Sequence, residues 1–506
     1  MPAGTRKGDG TMTATGKTQF DARNISMMMD LYELTMANGY LHDAEEADTR
    51  VAFDVFYRKN PDGGGYAVFA GLEQVLEYLE GMRFDKEDID YLRGLGLFDE
   101  KFLEYLGDFR FTGDVYAFPE GTIMYPNESV ITVVAPLIEA QLVETAILAQ
   151  VNHQSLIATK ASRIVRAADG RAVSDFGARR AHNIDAAVYG ARAAYIGGVV
   201  GTATVLAGQE FGIPVSGTMA HSFVMFYGDE LEAFRKFAKV YPDNAIMLVD
   251  TYDVLGSGVP NAIRVFDEMR ARGVEPKSYG IRIDSGDLAY LTKRARRMLD
   301  DAGHERAKIV ISNALDEYTI SSILAQGGQV DAFGVGERLI TARSEPVFGA
   351  VYKLAAVIRP DGFEPRIKVS ESVEKITNPG MKDVWRVYGE DGKALADVIA
   401  LPGEIGGDTG YDGAYVDPEH PWRRRRFPAG VRYEPLRQKV MEGGRRTGQP
   451  VEVGAIAEFV RRQLRDEIWA EEQRFENPHR HFLDMTPAYY EMKMDLLDRI
   501  QNPEGD

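Results

Sequence analysis

Residues 214–222, PVSGTMAHS, stay small and uncharged from Pro214 to Met219 and then place a histidine beside a serine. Such a run predicts a short strand buried on both faces, entered through Pro214 and ending near Met219. His221 would then be delivered into the loop beyond. A histidine at the carboxyl end of a buried parallel strand stands where α/β barrels and open α/β sheets place their chemistry. It serves structure equally well when hydrogen-bonded beneath a loop, so the surrounding chain has to decide.

Outward from this stretch, apolar runs recur at 173–177, 198–202, 214–219, 246–250, 279–284, 308–312 and 331–335, with an eighth candidate at 350–354. Helical patterns fall between them at 180–196, 228–240, 259–272, 287–301 and 316–326. Strand and helix alternating in this way predict βα units on a parallel sheet. Their number favours a closed barrel. An open doubly wound sheet is the alternative, though no early GxGxxG supports it. Polar residues gather where the runs end: Asp175 and Arg179, His221, Asp250 and Thr251, Arg282 with Asp284 and Ser285, Ser312 and Asn313, and Gly336, Glu337 and Arg338. In a barrel those ends meet on one face.

The flanking segments read differently. A helix is expected over 24–41, capped by Asn24 or Ser26 and ended by Gly39. Next come a strand at 50–57, a turn or mobile loop at 60–65 (NPDGGG), helices at 71–81 and 87–107, short strands over 113–134, and a long helix over 137–166. Strands and turns are expected at 366–388, and amphipathic helices at 451–473 and 486–501. The run Arg423–Arg426, between Trp422 and Phe427, reads as a solvated edge. The expected organisation is a disordered leader at 1–20, an N-terminal α/β domain at 21–137, an α/β barrel at 138–355, and a C-terminal segment at 356–506. That last segment would complete the second, α+β domain together with the N-terminal one.

The 506 residues carry 59 Lys+Arg against 77 Asp+Glu, a net charge of −18. This argues against a general nucleic-acid binder but not against an anionic small molecule held in a local basic pocket. With no cysteine, disulfides and thiolate chemistry are excluded. No apolar run approaches a membrane span, and residues 1–20 lack a signal-peptide core, so the expected location is the cytoplasm. The eight histidines are scattered apart from His479 and His481, which argues against a metal hydrolase.

The tract Arg282–Asp287, RIDSGD, ends a strand in Arg and Asp and turns into a helix whose first amides can hold a phosphate. Asp284 and Asp287 could hold ribose hydroxyls or water on a magnesium ion, and Asp287 also reads as an N-cap. FGVGER at 333–338 is a second glycine turn near a strand end. Together with MDLYELTMANGY, FDVFYRKNP, FPEGT, DFGARRAH, GTATVLAG, GTMAHSFV, LVDTYD, FGVGERL and KITNPGMKDVWR, these tracts resemble the nicotinate phosphoribosyltransferase family from about Asn24 to the C-terminal helix.

The resemblance implies an irregular α/β barrel with a second domain built from both chain ends, and a homodimer with shared active sites. It also implies the joining of nicotinic acid to phosphoribosyl pyrophosphate, coupled to ATP hydrolysis, in NAD salvage, with magnesium as the metal. In its terms His221 becomes a phosphohistidine, oriented by Asp250. Phe176 stacks on the pyridine ring, and Tyr32 of the other subunit covers its second face. Arg282 meets the carboxylate. Arg179 and Asp284 bind phosphoribosyl pyrophosphate, Ser312, Asn313, Gly336 and Glu337 line the phosphate and ribose side, and Thr251 is a further substrate-binding residue. Lys353 and Lys375 reach polyphosphate. Ala203 separates nicotinate from nicotinamide, because amide-using relatives carry an aspartate there that would repel a carboxylate. The decarboxylating quinolinate enzyme is a further rival, with no need of His221. A barrel kept only as a regulatory binding protein would be expected to lose His221, Asp250 or Arg282, and all three are present.

Overall fold

The computed structural model describes residues 24–43, 49–370, 375–406, 410–411 and 413–502. The expected leader at 1–20 lies outside the described residues. Six of the apolar runs form a single parallel sheet in the order Gly201–Thr202, Ala172–Asp175, Ala332–Val335, Lys308–Ile311, Tyr279–Ile283, Ala245–Leu248. Ala245–Leu248 is buried at every position, as expected of a strand covered on both faces. The connecting helices Ile184–Ile196, Glu230–Val240, Val259–Ala271, Leu288–Asp301 and Glu317–Ala325 lie where the periodicity predicts them.

The opening stretch departs from its expectation. Pro214–Met219 is not a strand: only Val215 pairs, through one parallel bridge to Thr202. Pro214 has no N–H to give a ladder and Gly217 has no side chain to hold a pleat. Val215 is 54% exposed, and Met219 alone of this run is buried. His221 does not sit in a loop but opens the helix His221–Tyr227. Among the described residues, no ladder joins this segment to Ala245–Leu248 at the other end of the sheet.

The eighth candidate also belongs elsewhere. Val351–Arg359 pairs antiparallel with Arg50–Phe56, in a sheet ordered Gly362–Pro365, Val351–Arg359, Arg50–Phe56, Ile131–Pro136, Asp114–Ala117, Gln438–Glu442, Arg445–Arg446. Three distant stretches of chain therefore share one sheet. A third, mixed sheet runs Arg424–Arg425, Tyr415–Val416, Leu483–Met485, Ala394–Ala400, Asp383–Tyr388, Arg432–Pro435, which makes the arginine run an edge strand. The long helix Glu144–Ala167 packs on both Leu72–Gly81 and Ile184–Ile196, so one hydrophobic core continues from Leu34 to Ile468.

Local details sharpen the reading. The first helix is Leu31–Leu41, and its cap is Asp30, not Asn24 or Ser26. Asp30 and Glu33 make a reciprocal capping box. Asn24 instead donates to Asp85 and Asp88. The expected 87–107 helix divides into Lys86–Leu95 and Glu100–Gly107 at Gly96, whose φ of 67° stops the first. The NPDGGG turn is fastened: Asp62 N–H donates to Glu345 at 2.7 Å, and the buried Lys160 Nζ reaches Asp62 at 3.0 Å and Glu317 at 2.8 Å. Among the described residues no helix is long and apolar enough to cross a membrane.

Candidate active site

Arg282, on the strand Tyr279–Ile283, is the centre of the strand-end cluster. Its Nε donates to Ser312 Oγ at 2.9 Å, Nη1 to Thr218 Oγ1 at 2.8 Å and to Met219 O at 3.4 Å, and Nη2 to Asp284 at 3.2 Å. The Ser312 hydroxyl in turn donates a hydrogen bond to Asp284 Oδ1. A guanidinium has five N–H donors, so one on Nη2 stays uncommitted. The same guanidinium stands 5.6 Å from the centre of the Phe176 ring. An aromatic face and a fixed cation beside it suit a planar, carboxylate-bearing ring.

Phe176 follows the strand Ala172–Asp175, with its N–H donating to Val335 O at 2.8 Å. The ring lies directly on Gly334, where an added Cβ would come within 2.4 Å of it. Asp175, fully buried, holds two walls together. It accepts from Gly177 N–H at 2.8 Å and from the Thr202 hydroxyl at 2.8 Å. Burial pushes its carboxyl above the ordinary carboxylate range, and the bonds from Thr202 and Gly177 work against that rise. Ala203 N–H donates to the Asp175 carbonyl at 2.8 Å, which leaves Ala203 exposed beside the Phe176 turn.

His221 is half open, with 40% of its side chain exposed, whereas Asp250 is 1% exposed. Their nearest atoms, Nε2 and Oδ1, are 3.9 Å apart, which is ion-pair distance rather than a hydrogen bond. The hydrogen bond to the ring comes from Thr251, whose Oγ1 is 3.1 Å from Nδ1. Asp250 Oδ2 accepts from Asp284 N–H at 3.0 Å and from Ser285 Oγ at 2.6 Å. Its Oδ1 is buried, has no hydrogen-bond partner among the described residues, and faces the histidine. Asp287 caps its helix, accepting from Tyr290 N–H at 3.0 Å.

Asn313 holds φ = 110°, a left-handed conformation rare outside glycine, at the end of Lys308–Ile311. Gly336 opens the short helix Glu337–Ile340 and packs under Gly177. Glu337 accepts from Arg343 at 2.9 Å, and Arg179 is exposed with no ion pair among the described residues. Three expected residues lie apart from this cluster within the chain. Tyr32 stands beside Glu144, which also faces Lys353 Nζ at 3.7 Å. Burial and then the Glu144 charge raise the Tyr32 hydroxyl above its ordinary range. Lys375 is exposed, with no contact to the Arg282 group among the described residues.

Sequence reading missed Thr218, Thr202 and Gly334 as site-building residues. Thr218 was on view in PVSGTMAHS, but its partner Arg282 is 64 positions away. No group of three or more His, Asp or Glu among the described residues could hold a metal ion. Asp284 Oδ1 is already committed to Arg282 and Ser312.

Such a layout, with an arginine and an aromatic ring at the carboxyl ends of parallel strands and a histidine at the start of a nearby helix, suits an α/β enzyme acting on a small anionic ligand. Family models then match nearly the whole chain: the nicotinate phosphoribosyltransferase N-terminal domain at 27–152, the family's central model at 171–360, and its C-terminal domain at 381–493. The chain belongs to the nicotinate phosphoribosyltransferase family. It is 42% identical over 484 residues to nicotinate phosphoribosyltransferase of Bacillus subtilis, covering 96% of this chain and 97% of that protein. It is 46% identical over 379 residues to nicotinate phosphoribosyltransferase pncB2 of Mycobacterium tuberculosis, covering 75% of this chain and 79% of that one. A crystal structure of human nicotinic acid phosphoribosyltransferase superposes with a TM-score of 0.79 at 27% identity, over 92% of this chain and 99% of that one.

Proposed function

We propose that this chain transfers the phosphoribosyl group of phosphoribosyl pyrophosphate to nicotinic acid, giving nicotinate mononucleotide and pyrophosphate for NAD salvage in the cytoplasm. The observation that carries this reading is the Arg282 guanidinium fixed 5.6 Å from the Phe176 ring, with one donor uncommitted. The pyridine ring lies on Phe176 and its carboxylate meets Arg282. The exposed Ala203 leaves that carboxylate unopposed, which favours nicotinate over nicotinamide. The ring nitrogen then attacks the anomeric carbon, the C–N bond forms, and the C–O bond to pyrophosphate breaks. The groups bound around the ribose and phosphates, among them Arg179, Asp284, Asn313, Gly336 and Glu337, act by positioning. Magnesium would neutralise charge on the pyrophosphate leaving group.

ATP is hydrolysed in each cycle through His221, which makes the enzyme ligase-type. With Nδ1–H donating to Thr251, Nε2 keeps its lone pair and takes the γ-phosphoryl group. The N–P bond forms as the bond to ADP breaks, and water later releases phosphate. The inward-facing Oδ1 of Asp250 supports this reading, since it would stabilise the imidazolium once the ring turns toward it. The parallel sheet closes as an irregular barrel over the 214–219 segment, and two chains pair so that Tyr32, exposed on the first helix, reaches the partner's site. Lys353 and Lys375 reach polyphosphate in that assembly.

Three measurements test the proposal. Protein, phosphoribosyl pyrophosphate, magnesium and either nicotinate or nicotinamide, with and without ATP, should yield nicotinate mononucleotide from nicotinate; exclusive use of nicotinamide would refute it. His221→Asn should abolish ATP hydrolysis and any acid-labile protein phosphate while a slow ATP-independent synthesis survives. Full ATP hydrolysis by that variant would remove His221 from the mechanism. For the shared site, inactive Tyr32→Ala and Arg282→Ala chains mixed together should recover some activity, and hybrids without activity would count against it.

A further inference from the structure

The arginine run lies far from the chemistry described above, yet it borders a cleft of about 460 Å³ in the C-terminal part of the chain. The cleft is lined by Trp469, Phe427 and Phe482 with Arg425, Arg426 and His479 beside them. Its walls are set without any ligand. Trp469 Nε1 donates to Ala394 O at 2.8 Å, and the Arg425 guanidinium stacks 3.7 Å from the centre of the Phe482 ring. Among the described residues Arg425 uses only Nε, on Asp484 at 2.5 Å, which leaves its two terminal nitrogens available. Arg426 is exposed and makes no ion pair or hydrogen bond among the described residues.

Two carboxylates also line the cleft, but both are engaged. Glu472 accepts from Tyr125 Oη at 2.6 Å and lies 3.3 Å from His481, and Glu471 faces Arg474 at 3.4 Å. The uncommitted charge there is positive, on a chain of net charge −18. Flat apolar walls take a heteroaromatic base by stacking, and guanidinium forks take a phosphate. The volume falls within the range of small-molecule sites, about 300–1,000 Å³. We propose that this cleft is a second binding site, separate from the Arg282 site, for a mononucleotide, with its base against Trp469 and its phosphate on Arg425 and Arg426.

The test uses the full chain carrying Arg282→Ala, so that the first site cannot dominate the signal. The protein has three tryptophans, one of which lines the cleft. Titration with adenosine 5′-monophosphate or nicotinate mononucleotide should quench tryptophan emission saturably. Adenosine, ribose 5-phosphate and inorganic phosphate should each bind far more weakly. Adding Arg426→Gln should weaken mononucleotide binding by about tenfold or more, and adding Trp469→Phe should remove the quench. Arg426→Gln in the otherwise unchanged enzyme should leave nicotinate mononucleotide synthesis intact, which shows that the variant is folded. No saturable binding at millimolar mononucleotide, equal binding by Arg426→Gln, a quench that survives Trp469→Phe, or equal binding of phosphate alone would each overturn the proposal.

Discussion

Arg386 and Arg282 are each paired with an aspartate and set over an aromatic ring, and the two behave differently. Arg386 stands 5.3 Å from the Tyr125 ring and grips Asp397 through two bonds of 2.8 and 2.7 Å. Both side chains are 1% exposed or less. Arg282 stands 5.6 Å from the Phe176 ring and holds Asp284 by one longer bond of 3.2 Å, with 12% and 30% of the side chains exposed. The first pair is sealed. Burial opposes the charge on Asp397, yet Arg386 and its neighbours keep that carboxyl far below the ordinary range. Glu128 beside it is driven the other way, by burial and by the Asp397 charge. The second pair is open at one donor. What separates a structural pair from a binding pair here is access for a third partner, not residue type.

The contrast can be broken first at its stronger end. Arg386→Met leaves Asp397 buried and uncompensated, and should lower stability by about 3–5 kcal/mol, read from denaturant unfolding. Arg386→Met with Asp397→Leu should recover much of that loss, since a well-packed apolar pair avoids the stranded charge. A single variant of ordinary stability would mean the pair is not sealed. At the open end, Arg282→Ala should lower kcat/KM for nicotinate by roughly a hundredfold, about 3 kcal/mol, with the unfolding midpoint nearly unchanged. A large loss of stability instead would make Arg282 a structural residue like Arg386.

Glu33 tests the middle of the range. It is fully buried and accepts from Asp30 N–H at 3.1 Å and from Thr145, while its Oε2 has no hydrogen-bond partner among the described residues. Burial pushes its carboxyl from 4.5 to about 7, with the Thr145 and Asp30 bonds pulling back. Between those pH values the folded chain holds more protons than the unfolded one, so stability should fall as pH rises from about 4.5 to about 7. Glu33→Gln should flatten that slope, worth about 1–3 kcal/mol, in melts taken across this window. An identical pH profile in the variant would rule Glu33 out as its source.

The smallest expected effect is at Ala203. A buried aspartate near the substrate carboxylate would repel it by about 4 kcal/mol at 4 Å, but at an exposed position the figure approaches 1 kcal/mol. Because Ala203 is exposed, Ala203→Asp should shift the nicotinate-to-nicotinamide ratio of kcat/KM toward the amide by about fivefold to tenfold. An unchanged ratio in a folded variant would mean that residue 203 does not face the ring's substituent.

The amino-acid sequence by itself determined the alternating strands and helices between 172 and 335 and the polar residues that close them. Local periodicity carries that information, because a strand buried on both faces must be apolar throughout and the helix after it must be amphipathic. It also carried the family, through tracts such as RIDSGD and GTMAHSFV. What only the tertiary structure decided was partnership. The 214–219 run is uncharged throughout, but Pro214 and a lack of pairing partners left it with a single bridge. The run at 350–354 looked like one more barrel strand, and it joined Arg50–Phe56 because that antiparallel edge was there to be paired. Arg282 and Arg386 each lie on a strand and look alike in the sequence. Which one keeps a donor for a ligand depends on residues dozens to hundreds of positions away, Thr218 and Ser312 for one, Ile123 and Tyr125 for the other. No local pattern encodes burial of that kind, because it is set by which distant surfaces the folded chain brings together.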